Sequence, residues 1–326
     1  MKSLDTMQPT STGGRFSTVE RDDAVPPDYA PDWPPSPFPI AGPACVTNAM
    51  TVDVEDYYQV EAFSHQIDRA DWPNHESRVE RNVEQLLQIF ADHGTHGTFF
   101  TLGWTAERYP ELIKRIVDAG HELASHGYDH TRVDRQSPDD FRLDARQTKQ
   151  ILEDLGGVEV RGYRAASFSV SDKTPWAFEI LSEVGYAYSS SVYPIRHDLY
   201  GMPSAPRFAH RPDADRDILE VPITTIELLS RKLPCGGGGY FRLYPYAFSR
   251  WAMRRVNGRD HQPCVFYLHP WEIDPDQPRM SDISLKTRVR HYLNLHRMES
   301  RLCRLLSDFA WDRMDRIFLE DRSDAA

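Results

Sequence analysis

The segment His126-Gly127-Tyr128-Asp129-His130 sets two imidazoles four residues apart. On one face of a helix or helical turn, that spacing lets both rings reach one metal ion. The pattern alone is common, and its weight comes from its company. Thr51-Val52-Asp53-Val54-Glu55-Asp56 places three carboxylates within four positions, directly after an apolar run. Crowding like charges is costly unless a cation or a proton compensates. A metal supplies that cation, and a further carboxylate beside it is placed to act as a general base. A solvated acidic turn accounts equally well for this segment read by itself. His269, in Leu268-His269-Pro270-Trp271-Glu272, follows the apolar run Val265–Leu268. It reads either as a packed core histidine or as a general acid, since imidazole titrates near neutrality. Arg164 closes Val158–Tyr163 beside Ala165-Ala166, where it would orient a carboxylate by paired bonds or make an ordinary surface ion pair.

The elements that must position these residues alternate. A strand-like run over 45–52 is followed by helical spacing over 77–93, with Val79, Val83, Leu86, Leu87 and Phe90 on one face and Gly94 as a stop. Strand-like 98–102 leads to a helix opened by Pro110 and stopped by Gly120. Strand 122–125 leads to helix 138–155, and strand 158–164 to helix 175–184. Such alternation predicts parallel strands in a (β/α) barrel or a distorted version of one. Asp53, His126, Arg164 and His269 then fall at C-terminal strand ends, where barrels carry their chemistry. Residues 196–262 break the rhythm. Their run Gly236–Gly239 has no following Lys-Ser/Thr, which excludes a phosphate loop and predicts a close backbone approach near a cleft. Residues 285–320 read as helical, with arginines outward.

Residues 1–40, rich in Pro, Ser, Asp and Thr, read as a disordered tail. The net charge of −11 repels phosphate backbones and argues against nucleic acid as a partner. Four cysteines without a CxxC pair fit free thiols in a reducing compartment. With no apolar run of membrane-spanning length and no signal-peptide pattern, a cytoplasmic protein is expected.

In this order, the four chemical segments resemble the motifs of the polysaccharide deacetylase (NodB-homology) family. Asp53-Val54-Glu55-Asp56-Tyr57-Tyr58, Gly236–Arg242 and His291–Arg297 look like the branch that accompanies exosortase-type exopolysaccharide loci. The resemblance implies an α/β fold, a distorted (β/α) barrel with a helical C-terminal extension. It divides the chain into a tail (1–44), a catalytic domain (45–283) and the extension (284–326). It also implies metal-assisted hydrolysis of an N-acetylated glycan, polymeric or lipid-linked, with zinc as the expected divalent ion. Asp53 would be the base, His269 the acid and Arg164 the base's partner. His126 and His130 would bind the metal with either Glu55 or Asp56, and Glu55 is favoured because it faces the same way as Asp53 in an extended strand. Tyr128, Phe168, Tyr240 and Trp271 are candidates for a sugar-stacking wall. This sequence departs from the pattern in its stretched Asp-Asp pair and in Ser189, which stands where the branch has Asp. Two other readings are a same-fold hydrolase of cyclic ureides or imides and a non-catalytic glycan-binding relative.

Overall fold

The computed structural model describes residues 46–319 except Leu199, Ala214 and Asp282, so the expected tail and Cys45 lie outside the described residues. In chain order the elements are β1 (Thr47–Val54), α1 (Val79–Asp92), β2 (Thr98–Thr101), α2 (Gly103–Arg108), α3 (Pro110–Asp118) and β3 (Glu122–Ser125). Next come α4 (Pro138–Gly156), β4 (Gly162–Tyr163), α5 (Trp176–Val184), β5 (Tyr188–Ser189), β6 (Leu219–Glu220) and the antiparallel pair β7 (Thr225–Leu228) and β8 (Arg231–Pro234). The chain continues through α6 (Gly238–Leu243), α7 (Tyr246–Arg255), β9 (Val265–Leu268), α8 (Leu285–Tyr292), α9 (Met298–Asp308), β10 (Ala310–Asp312) and α10 (Met314–Phe318).

Eight strands form one parallel sheet in which β1 is central. It pairs with β9 through Ala49–Val52, with β2 through Thr51–Val54, and with β10 through Thr47–Ala49. From β2 the sheet runs through β3, β4 and β5 to β6. The result is the distorted, open (β/α) barrel that the alternation predicts. β1 to β3 bury both faces, because helices cover one side and the barrel interior the other. α1 lays Val79, Val83, Leu86 and Phe90 on the sheet, where they pack with Val52, Val54, Phe99 and Leu268. Pro138 and the Ser137 cap start α4, and Gly157 ends it in the left-handed region.

Three local expectations change. Of the strand predicted over 158–164, only Gly162 and Tyr163 pair, so Arg164 sits just past a two-residue strand. The irregular stretch 196–262 contains α6 and α7. The C-terminal extension is helical but also returns β10 to the sheet. Glu122 anchors the start of α10, accepting from the Asp315 amide at 3.1 Å and the Thr98 hydroxyl at 2.5 Å. The glycine run makes the expected close approach. Gly237, at φ +115°, lies against β9 so tightly that a Cβ would sit 2.0 Å from the Tyr267 carbonyl oxygen.

Candidate metal centre and active site

Asp53, His126, Arg164 and His269 all stand at or just past C-terminal strand ends. Asp53, His126 and His269 line one cavity of about 380 Å³, and Arg164 lies buried behind Asp53. After Asp53 the strand closes in a tight turn, with the Glu55 amide donating to the Asp53 carbonyl at 3.0 Å. The turn aims Glu55 inward. One ligand atom each from Glu55, His126 and His130 lies within 4.8 Å of the others, and all three residues are buried. His130 Nε2 is 3.0 Å from Glu55 Oε2, an oxygen with no hydrogen-bond donor among the described residues. His126 Nδ1 lies 2.8 Å from the Arg164 carbonyl and donates to it, which leaves the Nε2 lone pair for a ligand. Burial lowers the pKa of both imidazoles, keeping them neutral as metal ligation requires.

The two histidines do not lie on a helix, contrary to the helical reading of their spacing. They occupy a loop in which Gly127 (φ +74°) and His130 (φ +59°) are left-handed. The carbonyls of Gly127 and Tyr128 accept from the amides of Gly103 and Trp104, so they serve the first turn of α2 instead of closing a turn of their own.

Asp56 turns away from this group. Its Oδ2 accepts from Ser77 Oγ (2.7 Å) and from the amides of Arg78 (2.8 Å) and Val79 (3.2 Å), and its Oδ1 accepts from the Tyr57 amide. It caps the start of α1.

Arg164 is fully buried and forms no surface pair. One of its N–H groups donates to Asp53 Oδ1 at 2.6 Å and to Thr51 Oγ1 at 2.8 Å, while Ser190 accepts through its carbonyl and hydroxyl oxygens. The guanidinium lies 4.0 Å from the centre of the Phe100 ring. Asp53 is thus held through a single oxygen, and its Oδ2 lies 4.0 Å from His269 Nε2.

His269 Nε2 is also 3.4 Å from Glu55 Oε1. Its Nδ1 donates to Glu272 Oε1 at 2.7 Å, and Glu272 Oε2 accepts from Arg242 Nε at 2.6 Å. Burial alone would lower the His269 pKa; the carboxylates of Glu55, Glu272 and Asp53 outweigh it and push it up to about 9. Burial likewise favours protonated Glu272, but Arg242 and His269 hold it down at about 2. Glu55 is pushed up to about 7, chiefly by burial. Trp271 stacks between His269 (5.0 Å between centroids) and His291 (4.2 Å). Arg242 is fixed by the carbonyls of Arg290, His291 and Leu293 at the end of α8.

Phe168, Tyr240 and Trp271 line the cavity. Tyr128 does not: its hydroxyl donates to Glu107 at 2.7 Å and its ring packs against Gly103. His197 and Tyr200, stacked at 4.0 Å, add an aromatic pair that the sequence reading missed. Ser167 and Phe168 are both left-handed at the cavity wall, a conformation non-glycine residues adopt at a cost. Where the sequence has Ser189, a carboxylate arrives from the neighbouring strand: Glu220 Oε1 accepts from the Ser191 and Val192 amides at 3.0 and 2.8 Å.

Residues 70–189 match the polysaccharide deacetylase family, and residues 190–319 match a domain of unknown function (DUF3473). A peptidoglycan-N-acetylglucosamine deacetylase of Bacillus cereus is 30% identical over 96 residues, which is 29% of this chain and 35% of that protein. The chain thus spans about a third of the length of this relative. A polysaccharide deacetylase structure from Mycobacterium smegmatis superposes with a TM-score of 0.58 at 22% identity, over 88% of this chain and 93% of that one. A PuuE allantoinase structure gives 0.56 at 15% identity, over 90% and 96%. The chain has the fold of the NodB-homology polysaccharide deacetylases. The donor set fits a divalent metal: two neutral buried imidazoles and a buried carboxylate oxygen that has no donor among the described residues.

Proposed function

We propose that this chain is a metal-dependent hydrolase that removes acetyl groups from an N-acetylated glycan. The observation that carries this reading is the convergence on one cavity of the Glu55–His126–His130 triad, of Asp53 held from behind by Arg164, and of His269 held from behind by Glu272. A divalent cation on the triad, for which two imidazoles and one carboxylate are a zinc-type donor set, would supply Lewis acidity toward water and an amide carbonyl.

Asp53 is the proton acceptor. Arg164 holds its Oδ1 and leaves Oδ2 facing the cavity, where it takes a proton from the attacking water. His269 is the proton donor. With Nδ1 committed to Glu272, only Nε2 is available, and it delivers its proton to the departing amine nitrogen. Phe168 and Tyr240 offer the apolar aromatic surface that sugar rings require, whereas Trp271, with its two faces taken by His269 and His291, buttresses His269 instead of stacking on a sugar. The free thiols of Cys235, Cys264 and Cys303 support a reducing compartment. The motif resemblance supports a place in exopolysaccharide synthesis.

Acetate release from N-acetylglucosamine oligomers, run beside opening of a cyclic ureide such as allantoin, tests the reading. Acetate release with no ureide opening is expected. Ureide opening without acetate release would move the reaction to the other chemistry this fold supports.

A further inference from the structure

An ordinary surface helix buries its apolar residues and exposes its charged ones. α8, Leu285-Lys286-Thr287-Arg288-Val289-Arg290-His291-Tyr292, does the opposite with its aliphatic residues. Leu285 is 77% exposed and Val289 48%, while the residue it buries is His291. Leu285 and Val289 are one turn apart and share a face. Val289 lines the cavity, as does Leu243 of α6, itself 53% exposed. Two of the eight exposed large apolar residues among those described therefore line the active-site cavity, and a third, Leu285, continues the same face of α8 one turn from Val289. Single exposed apolar residues are ordinary, but a group at a functional opening marks a contact surface.

The charge around this group identifies the partner. From Ser284 to Arg297 the chain carries Lys286, Arg288, Arg290 and Arg297 and no acidic residue, in a chain of net charge −11. Among the described residues, Asp198 is the carboxylate paired with the cluster, and it is shared by Lys286 (2.5 Å) and Arg290 (3.1 Å), which leaves an excess of positive charge. Arg288 is exposed and, among the described residues, donates to the Ser281 carbonyl. Exposed aliphatic side chains flanked by basic ones suit a bilayer with anionic headgroups: the apolar side chains enter the boundary between headgroups and acyl chains, and the cations meet the phosphates.

We propose that α8 and Leu243 seat the cavity mouth on an anionic lipid surface, so that the glycan is presented to the site at a membrane. The lipid contact stands on the surface alone, and the nature of what is presented rests on the proposed function. The overall negative charge opposes adsorption elsewhere on the protein, so contact is confined to this face and weakens with salt.

Co-sedimentation with vesicles tests this without any activity assay. The full chain is mixed with phosphatidylglycerol–phosphatidylcholine vesicles and, separately, with phosphatidylcholine alone. Binding to the anionic vesicles only, weakened about tenfold by Leu285→Asp and by Arg288→Glu at unchanged melting temperature, is the expected result. Absence of binding to anionic vesicles overturns the proposal. So does equal binding by wild type and both variants. A dimer in sedimentation velocity that Leu285→Asp dissociates, with no vesicle binding, overturns it in favour of a second copy of the chain. Failure to release acetate from glycans, with vesicle binding intact, would refute the proposed function and leave the lipid contact standing.

Discussion

Glu272 stands three residues after His269 and accepts from its Nδ1 at 2.7 Å, with Arg242 gripping the other carboxylate oxygen at 2.6 Å. The arrangement fixes the tautomer and orientation of the proposed proton donor, so Glu272 and Arg242 are positioning residues. Glu272→Gln should lower kcat by about a hundredfold with little change in KM and no loss of bound metal. It also removes one of the carboxylates that raise the His269 pKa. A raised imidazole pKa means that the charged form is present at low pH and is lost as pH rises through about 9. The alkaline limb of the kcat profile should therefore move to lower pH in the variant. An unmoved limb would show that Glu272 does no more than pack.

Glu55 and Asp56 are adjacent and have opposite surroundings. Glu55→Ala should abolish metal retention. Asp56→Ala should keep the ion but cost about 1–3 kcal/mol of stability, because the Ser77, Arg78 and Val79 donors lose their buried acceptor. Metal content by elemental analysis, joined to thermal melting, separates the two.

Arg164→Lys keeps the charge but cannot reach Asp53, Thr51 and Ser190 together. Turnover should fall by about a hundredfold, and combining the change with Asp53→Asn should add little further loss, because both act on one proton transfer. Additive losses in the double-mutant cycle would assign Arg164 a separate role.

Glu220 is fully buried, and burial is the main cause that pushes its carboxyl pKa from 4.5 up to about 7. The unfolded chain releases this proton near 4.5 and the folded chain near 7, so stability is fully present below 4.5 and declines as pH rises to 7. The contribution is on the order of 3 kcal/mol. Glu220→Gln keeps an oxygen for the Ser191 and Val192 amides and should flatten that decline. Melting curves between about pH 4.5 and 8 read it directly, and parallel slopes in wild type and variant would contradict it.

Most of what positions the site is legible in the sequence, because β1, β3 and β9 are short runs at whose ends Asp53, His126 and His269 stand. α1, α3, α4 and α5 announce themselves by spacing and by Gly or Pro at their ends. Other parts are not legible, for physical reasons. β4, β5 and β6 are two residues each and exist through their neighbours' hydrogen bonds. α6 opens on the left-handed glycines that read as a loop. The histidine pair reads as a helical turn because the φ values of Gly127 and His130 leave no trace in the spacing. Glu272 has a usable signal, a carboxylate three positions after a strand-end histidine. Arg242 stands in plain view after the glycine run, but its partner cannot be read. Glu220 reaches the Ser191 and Val192 amides, and Arg164 reaches Asp53, only through the sheet order.

In the proposed chemistry Glu55, His126 and His130 hold one catalytic divalent ion. Protein stripped with a chelator and titrated with zinc or cobalt should regain acetate release from N-acetylglucosamine oligomers in proportion to bound metal, saturating at one ion per chain, and His126→Ala should neither bind nor respond. Full acetate release by the stripped protein, or by His126→Ala, would contradict it.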